Sequence, residues 1–562
     1  MKIKYVISIC IFVILMSMTC ISASENVNQT DSLGLSIEDN FETAENNQKI
    51  IRQTPDEVEL KENKNQTMNS NILGISNSEE SLGAPDDGTF KTLQEKINNT
   101  AEGGILVLEN DYANTDNFDK DGIKISKTMT IDGNGYKIDA LSKGRIFQVT
   151  TSNVILKNIN FINGNSINGG AVYWTGAYGS LSGCNFTDCS AVESYDVEES
   201  YSYGGAVYWN GTDGSLSGCN FTDCSAVANS SSEHSYTNSC GGAVYWNGAD
   251  GSLSGCNFTD CSAVANSSST VYSYSWGGAV YWTGNAGSLS GSSFINNSAY
   301  WGGAVYWNGA NSNINATFIN NIAKDMGGAI YVNKFSDSTV TGTYINNKAE
   351  DGGANYFSGG VSGSNVTGTY TNNTAKQNGG ANYFNGAVEN TIIDGAYENN
   401  KANSQKYNDD GGGANYFNGT VEYAIIDGTY TNNTATSWGG ANFFNKDVSG
   451  SKIGGKYTIN TAVVGGANFF NNNVSGSTVA GTYANNKATG GEGGANFFRK
   501  EVSGSTVAGT YTNNTAKGYG GANCFSSVSD SNVTGTYTNN TAKGVGGANF
   551  FSSVSDSNVA GT

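Results

Sequence analysis

The sequence predicts an all-β fold, a right-handed parallel β-helix solenoid with about one coil per repeat of 25–28 residues. A Gly-Gly-Ala stretch followed by an aromatic pair recurs through most of the chain. Proline is scarce, with 2 residues against 75 glycines, and both prolines precede the repeats. Each repeat holds two or three short strands, too few to bury a core alone, so the repeats must stack and pair in parallel.

The spacing of the repeats is longest near their start. Most units open 25–28 residues apart, whereas the first units and one later unit are separated by 33–37 residues. Self-similarity at a fixed period of this size is typical of a solenoid. The units open at Gly169, Gly204, Gly241, Gly277, Gly302, Gly327, Gly352, Gly379, Gly412, Gly439, Gly465, Gly493, Gly520 and Gly546.

The beginning of the chain indicates export. Lys2 and Lys4 precede an apolar run from Tyr5 to Ile21, and a small-residue cleavage site follows, so residues 1–23 are predicted to be a signal peptide. A retained membrane anchor is the alternative, and either one places the rest outside the cytoplasm. Residues 24–88 are polar and acidic and are predicted to be a disordered spacer.

The solenoid is expected to begin with a cap. Phe90, Leu93 and Ile97 lie on one face of a short helix, which would cover the open end of the strand ladders. The continuous apolar run at residues 105–108 then predicts a buried strand. We expect the cap and first coils in residues 89–165, Cys- and Trp-rich coils with inserts in 166–310, and Asn- and Phe-rich coils in 311–562. The chain stops inside a repeat, as a truncated array would.

Composition excludes several classes of partner. A net charge of -20 disfavours nucleic acid and anionic lipid, so no membrane contact is expected beyond the signal segment. The single histidine, His234, leaves little for histidine-centred catalysis. Asp116, Asp119 and Asp121 resemble part of a calcium loop, but the closing Glu is missing. We therefore expect neither a metal nor a cofactor.

Six cysteines occur in three near-identical segments and suggest two columns along the solenoid. The second cysteine of each segment takes the place of an Asn in later repeats, where equivalent Asn side chains would form a ladder. Coils about 4.8 Å apart bring equivalent cysteines within disulfide range. Reduced, buried thiols and, more remotely, a zinc site are the alternatives. The six are Cys184, Cys189, Cys219, Cys224, Cys256 and Cys261.

The paired aromatic residues predict a stripe along the outside of the solenoid. Adjacent residues of a strand point to opposite faces, so one member of each pair faces the core and the other faces outward. The sequence does not decide which. An outward stripe could stack on sugar rings or dock a partner, or it could be self-stacked and covered by an insert. The candidate binding residues are Tyr173, Trp174, Tyr208, Trp209, Tyr245, Trp246, Tyr281, Trp282, Tyr306 and Trp307.

Inserts explain the longer spacings. Val192–Tyr203, Val227–Cys240 and Val264–Trp276 leave the coil at the same corner, just before Gly-Gly, and are rich in Ser and Tyr. Asn403–Asp410 is a fourth, separate insert. Insertions on one face of a solenoid often form its binding face, and the alternative is neutral variation in surface loops.

The repeat resembles that of the polymorphic outer-membrane proteins. Gly327–Ile330 matches their Gly-Gly-Ala-[Ile/Val] motif, and Phe294–Asn297 and Phe318–Asn321 match Phe-x-x-Asn. The signal, the spacer, the Ile131–Gly135 stretch and the repeats together resemble more closely the adhesin-like surface proteins of methanogenic archaea. This resemblance covers about residues 89–562 and implies a pectin lyase-like β-helix at the cell surface.

The functional prediction is an exported, adhesin-like protein that binds a glycan or a protein on another cell or a matrix. Two alternatives are a structural envelope stalk and a polysaccharide lyase or hydrolase. An enzyme needs acids placed once, at a cleft, with distinct environments. Asp188, Asp223 and Asp260 instead repeat with the coils, and no unique acid pair stands out, so no enzymatic activity is expected.

Overall fold

A computed structural model describes residues 86–194, 199–231, 236–267, 272–404 and 411–562. The predicted signal peptide and the spacer up to residue 85 lie outside these residues. The described strands pair in parallel with the equivalent strands of the neighbouring coils, for example Val207–Trp209 with Val244–Trp246. The predicted parallel β-helix is therefore confirmed.

Sheet 1 contains the strands that follow each Gly-Gly-Ala corner, and a second ladder joins it in the later coils. Its strands are Ile123–Ile125, Phe147–Val149, Val172–Trp174, Val207–Trp209, Val244–Trp246, Val280–Trp282, Val305–Trp307, Ile330–Val332, Asn355–Phe357, Asn382–Phe384, Asn415–Phe417, Asn442–Phe444, Asn468–Phe470, Asn496–Ser503, Asn523–Ser529 and Asn549–Ser555. The second ladder contains Phe335–Ser336, Val361–Ser362, Val388–Glu389, Val421–Glu422, Val448–Ser449 and Val474–Ser475.

Sheet 2 has two ladders that merge in its longer strands. The first ladder contains Ile105–Val107, Thr130–Asp132, Ile155–Lys157, Ser180–Ser182, Ser215–Ser217, Ser252–Ser254, Ser288–Ile295, Asn313–Ile319, Thr339–Ile345, Asn365–Val366, Ile392–Ile393, Ile425–Ile426, Lys452–Ile453, Thr478–Ala484, Thr506–Thr512, Asn532–Val533 and Asn558–Val559. The second adds Tyr112–Ala113, Lys137–Asp139, Asn160–Ile162, Asn185–Thr187, Asn220–Thr222, Asn257–Thr259, Thr369–Thr371, Ala396–Glu398, Thr429–Thr431, Lys456–Thr458 and Thr536–Thr538.

Sheet 3 closes each coil before the next Gly-Gly corner. Its strands are Ser190–Ser194, Ser225–Ser230, Ser262–Ser267, Ser298–Trp301, Ile322–Met326, Lys348–Ala349, Thr374–Ala375, Lys401–Ala402, Thr434–Ala435, Thr461–Ala462, Lys487–Ala488, Thr515–Ala516 and Thr541–Ala542. Three further strands belong to the inserts: Glu199–Tyr203, Tyr236–Cys240 and Tyr272–Trp276.

The predicted cap is a helix, Phe90–Asn99, whose buried residues are Phe90, Leu93 and Ile97. Its Gln94 side chain bonds the edge strand of sheet 1, donating to the Lys124 carbonyl at 3.0 Å and accepting the Lys124 N–H at 2.7 Å. These two bonds satisfy backbone groups that the first coil would otherwise leave unpaired.

The strand after the helix is not buried as predicted. Ile105 is 68% exposed and Val107 is 47% exposed because they face outward, whereas Leu106 packs against the core and Leu108 is 0% exposed.

The two glycines of each corner have different roles. Gly204 has φ of 62°, in the left-handed region that favours glycine. Gly205 has no such torsion, but a Cβ there would collide with the carbonyl oxygens of Gly242 in the next coil and Ser225 of sheet 3. The corner therefore needs one glycine for its backbone torsion and one for close packing.

A column of buried asparagines runs along the corner between sheets 2 and 3, as the sequence predicts. The amide oxygen of each Asn accepts two hydrogen bonds from the Asn of the preceding coil, one from its side-chain amide and one from its backbone N–H. Asn373, for example, accepts both from Asn347, each at 3.0 Å. The members are Asn297, Asn321, Asn347, Asn373, Asn400, Asn433, Asn460, Asn486, Asn514 and Asn540.

Candidate functional site

The structure decides which aromatic residue of each pair faces outward. The tryptophans face the core, are 0% exposed and stack with ring centroids 4.3–4.8 Å apart. The prediction that tryptophans could form the binding stripe is wrong, because these rings are enclosed. The residues concerned are Trp174, Trp209, Trp246, Trp282 and Trp307.

Glycines five residues downstream make room for these rings. A Cβ at Gly214 would collide with the indole of Trp209, and a Cβ at Gly251 would collide with that of Trp246. The Trp209 indole N–H donates to the Gly211 carbonyl at 3.0 Å, so its polar group is satisfied inside the core. The sequence therefore contained a signal for the orientation, a Trp followed by Gly at this spacing, which the prediction missed.

The tyrosines form the outward column and are partly exposed. Their rings stack 4.7–5.1 Å apart from Tyr173 through Tyr306 to Tyr331. This tyrosine column contains Tyr173, Tyr208, Tyr245, Tyr281 and Tyr306, and whether it binds a ligand stays a prediction.

Arg145 closes the column at its N-terminal end. Its guanidinium lies 5.0 Å from the Tyr173 ring centroid and donates to the carbonyls of Gly169 and Asn168 at 3.2 and 2.9 Å. Burial lowers the pKa of Arg145, although the side chain is surrounded by oxygen acceptors and an aromatic face.

The three long inserts are strands rather than loops. Each insert leaves as an extension of a sheet 3 strand and returns as a second strand, and both layers pair in parallel with the inserts of neighbouring coils. We call this two-layered blade the fin. Its outgoing strands are Ser190–Ser194, Ser225–Ser230 and Ser262–Ser267, and its return strands are Glu199–Tyr203, Tyr236–Cys240 and Tyr272–Trp276.

Small residues fill the space between the two layers of the fin, which lie against each other. Ala226 and Ala228 are 0% exposed on an outgoing strand, as are Ser200, Ser202 and Ser239 on the return strands. Small and large residues alternate in the inserts with a period of two, which is typical of a strand. The interpretation of the inserts as surface loops overlooked this signal.

The aromatic residues of the return strands pack against the tyrosine column. The Tyr203 ring meets the Tyr245 ring edge-on, with centroids 5.0 Å apart, and Trp276 lies 6.5 Å from Tyr281. Burial raises the pKa of Tyr208 and of Tyr245. The fin therefore covers part of the column, which was the alternative to a bare stripe, and together they form one aromatic surface.

The fin ends abruptly at the next coil. The last fin strands pair with the short strand Ser298–Trp301 at one position each, Ser262 with Ser298 and Trp276 with Trp301. Trp301 stacks on Tyr274 at 4.9 Å and donates its indole N–H to Asp325 at 2.9 Å. Sequence reasoning missed this step, although the unit spacing falls there from 36 to 25 residues.

All eight cysteines of the repeats are free and buried. No disulfide joins the six cysteines for which bridges and reduced, buried thiols were the main alternatives, Cys184, Cys189, Cys219, Cys224, Cys256 and Cys261.

The cysteines contact backbone groups instead. The Cys219 sulfur accepts the Cys184 N–H at 3.4 Å. Cys261 continues into the asparagine column, since its N–H donates to the Asn297 side chain at 3.0 Å. Burial raises the pKa of Cys189 and of Cys224 well above the usual value, so both are protonated thiols.

The remaining charged candidates do not converge on a site. Asp188, Asp223 and Asp260 form a column on turns, where partial burial and the two neighbouring carboxylates raise the pKa of Asp223. In the described ranges, no group of three or more His, Cys, Asp or Glu side chains could hold a metal ion. His234 and residues 405–410 of the fourth insert lie outside those ranges.

Comparisons with known proteins are sparse. No family model and no curated protein matches the chain. One solved structure, described as "a new PL6 alginate lyase complex with trisaccharide", is similar over 76% of this chain and 82% of that chain, with 12% identity and a TM-score of 0.23. None of the helices in the described residues is long and apolar enough to span a membrane.

Proposed function

We propose that this chain is an exported surface protein that binds a glycan or a protein of another cell or a matrix through the fin and the tyrosine column. The observation that carries the proposal is the folding of three consecutive inserts into one blade with an aromatic outer surface. Independent surface loops would need neither the matched strand registers nor the buried layer of small residues.

The chemistry of this surface suits recognition. Tyrosine offers a large, rigid, amphipathic ring at low entropic cost, and serine adds adaptable hydrogen bonding. Tyr201 and Tyr203 of the first return strand and Tyr274 and Trp276 of the last one are partly exposed beside the column. Stacked rings of this kind offer flat faces to sugars or to apolar side chains of a partner.

Removing the fin tests the proposal. The finless variant lacks residues 193–202, 228–239 and 265–275. In each shortened coil two residues then separate Ser-Ala from Gly-Gly, as they do in the natural segment Ser298–Gly303, which has no insert. We expect the purified variant to unfold like the parent but to lose most of its attachment to cells and to a glycan array. Undiminished attachment by the folded variant would support an envelope stalk instead.

The absence of enzymatic activity is part of the proposal. We expect the intact protein to release no product from a panel of neutral and acidic polysaccharides, because the candidate acids Asp188, Asp223 and Asp260 repeat along the coils. New reducing ends or unsaturated sugars in that assay would support the lyase or hydrolase alternative.

A further inference from the structure

A groove of about 420 Å³ lies on the outer face of sheet 3, directly beyond the end of the fin. Its apolar lining includes Ala299, Ile322 and Ala323, and Ile322 is 49% exposed. The strand Ser298–Trp301, which pairs with the last fin strands, also supplies residues to this groove. The groove therefore adjoins the fin but is made by the coils that follow it.

Three lysines surround this apolar floor: Lys324, Lys348 and Lys376. Such convergence is notable in a chain with 29 basic and 49 acidic residues. Lys348 lies in register between Ile322 and Thr374, so no carboxylate stands beside it in its ladder. Its ammonium group is the charge most available to a ligand.

Three carboxylates lie near the groove but outside its lining: Asp325, Glu350 and Asp351, the last of which accepts the Asn378 N–H at 3.0 Å. Asp325 accepts the indole N–H of Trp301 at 2.9 Å. Glu350 accepts from Gln377 at 2.7 Å and lies 3.4 Å from the Lys376 ammonium. The groove lining itself thus carries positive charge and no carboxylate.

An aromatic ring flanks the same groove. The Lys324 ammonium lies 5.4 Å from the ring centroid of Tyr300, a partly exposed residue of the strand Ser298–Trp301. Tyr300 in turn lies 5.7 Å from Trp301. Apolar and aromatic surfaces bind the C–H faces of a sugar ring, and ammonium groups bind carboxylates.

We propose that this groove binds a carboxylate-bearing sugar of an acidic glycan, with the carboxylate on Lys348 and its neighbours and the sugar ring against Ile322 and Tyr300. The volume suits a small ligand or a short segment of a polymer. This inference rests on the proposed binding function and names a ligand class for the surface at the foot of the fin.

The test uses the intact chain and a galacturonic acid tetramer, compared with its uncharged methyl ester. We expect the acid to bind about tenfold more tightly than the ester, since loss of a hydrogen-bonded charge pair costs about one order of magnitude. A Lys324→Gln/Lys348→Gln variant should lose a similar factor for the acid and nothing for the ester. Lys487→Gln, on the same sheet but far along the chain, is the matched control and should bind normally.

Several results would overturn the inference. They are equal binding of acid and ester, unchanged binding by the Lys324→Gln/Lys348→Gln variant, or preference for a poly-glutamate peptide or a polyphosphate over the acidic sugar. Thermal unfolding of each variant shows whether it is folded. Attachment of the finless protein to cells would contradict the proposed function. If attachment does require the fin but the intact protein binds the acid and the ester equally, only this inference is contradicted.

Discussion

Tyrosine and asparagine replace phenylalanine and valine together inside the later coils. Phe294 and Phe318 of sheet 2 are followed in the column by Tyr344, while Val305 and Ile330 of sheet 1 are followed by Asn355. All six are buried. The swap forms a second internal amide column, in which Asn355, Asn382, Asn415, Asn442, Asn468, Asn496, Asn523 and Asn549 are linked by bonds of 2.9–3.0 Å.

The tyrosine hydroxyls explain why the two changes accompany each other. Asn442 donates to the Tyr457 hydroxyl at 3.4 Å, and Tyr457 donates to the Gly454 carbonyl at 2.6 Å. A hydroxyl or an amide alone in an apolar core would be costly, and these bonds offset part of that cost, although the buried hydroxyls of Tyr397 and Tyr483 have no partner.

Replacing one asparagine of the corner column tests how much this bonding contributes. Asn373→Ala removes the donor to the Tyr344 carbonyl and to Asn400, and the acceptor for the Asn347 N–H. We expect a loss of about 2–4 kcal/mol in the free energy of unfolding, because buried groups are left unsatisfied. Guanidinium unfolding measures it.

The control for that change is Asn365→Ala, in the same coil but on the exposed side of sheet 2. It should alter the free energy of unfolding by less than about 0.5 kcal/mol. Equal effects of the two substitutions would show that the column contributes nothing beyond an ordinary surface asparagine.

Asp351 predicts a pH-dependent stability. Burial, opposed by the amide donors of Asn378 and aided by Asp325 and Glu350, raises the pKa of Asp351 to about 6. The folded state therefore binds more protons than the unfolded state between about pH 4 and 6, and stability falls as the pH rises through that window.

The substitution Asp351→Asn keeps an acceptor for Asn378 and removes the charge. We expect it to raise the free energy of unfolding by about 1–3 kcal/mol at pH 7.5 and to have little effect at pH 4.5, where the carboxyl is neutral. Denaturant unfolding at both pH values measures the difference. Asp337→Asn, on an exposed turn, should have no comparable effect, and a destabilised Asp351→Asn protein at pH 7.5 would contradict the expectation.

At the scale of elements, the cysteine columns are continuous with the polar columns of later coils. Cys256 donates its N–H to the Ser292 hydroxyl at 3.1 Å, and Cys261 donates to the Asn297 side chain at 3.0 Å. The same corner positions thus accept Cys, Ser or Asn, because each offers an acceptor to the backbone N–H of the preceding coil. Small size and an acceptor atom are what these positions require.

Thiol labelling distinguishes this packing from disulfide formation. We expect a thiol reagent to label none of the eight repeat cysteines in the folded protein, since all are buried, and to label all eight after unfolding without reductant. A shortfall of two thiols for each bridge, recovered on adding reductant, would establish disulfides.

The sequence predicts the features that depend on local repeats, but it does not predict contacts that depend on where the fin ends. Periodicity predicted the coils, the cap and the asparagine column, because each follows from a repeated residue and its strand position. It could not place Tyr300 beside Lys324, since that contact depends on where the fin ends in three dimensions. The inward orientation of Trp209 was readable from a local signal, the glycine five residues later, because Gly214 leaves room for the indole ring.

At the scale of the whole solenoid, each coil is bound to its two neighbours by the strand ladders and by the side-chain columns. The Gly-Gly corner adds a steric requirement. The carbonyl oxygens of Gly242 and Ser225 lie so close to Gly205 that a side chain at this position would collide with them. Stability is therefore expected to be a sum of coil terms and neighbour terms, and a damaged coil should weaken those next to it.

The parallel ladders also determine how the protein would respond to tension. Hydrogen bonds between coils run along the stacking direction, so a pull on the two ends loads them in series and coils detach one at a time. A coil of 25–28 residues occupies about 4.8 Å of the stack but releases about 80–90 Å of extended chain. If the protein attaches as proposed, such a stack would lengthen under load and dissipate work, and an attachment made near one end would be shielded from sudden force.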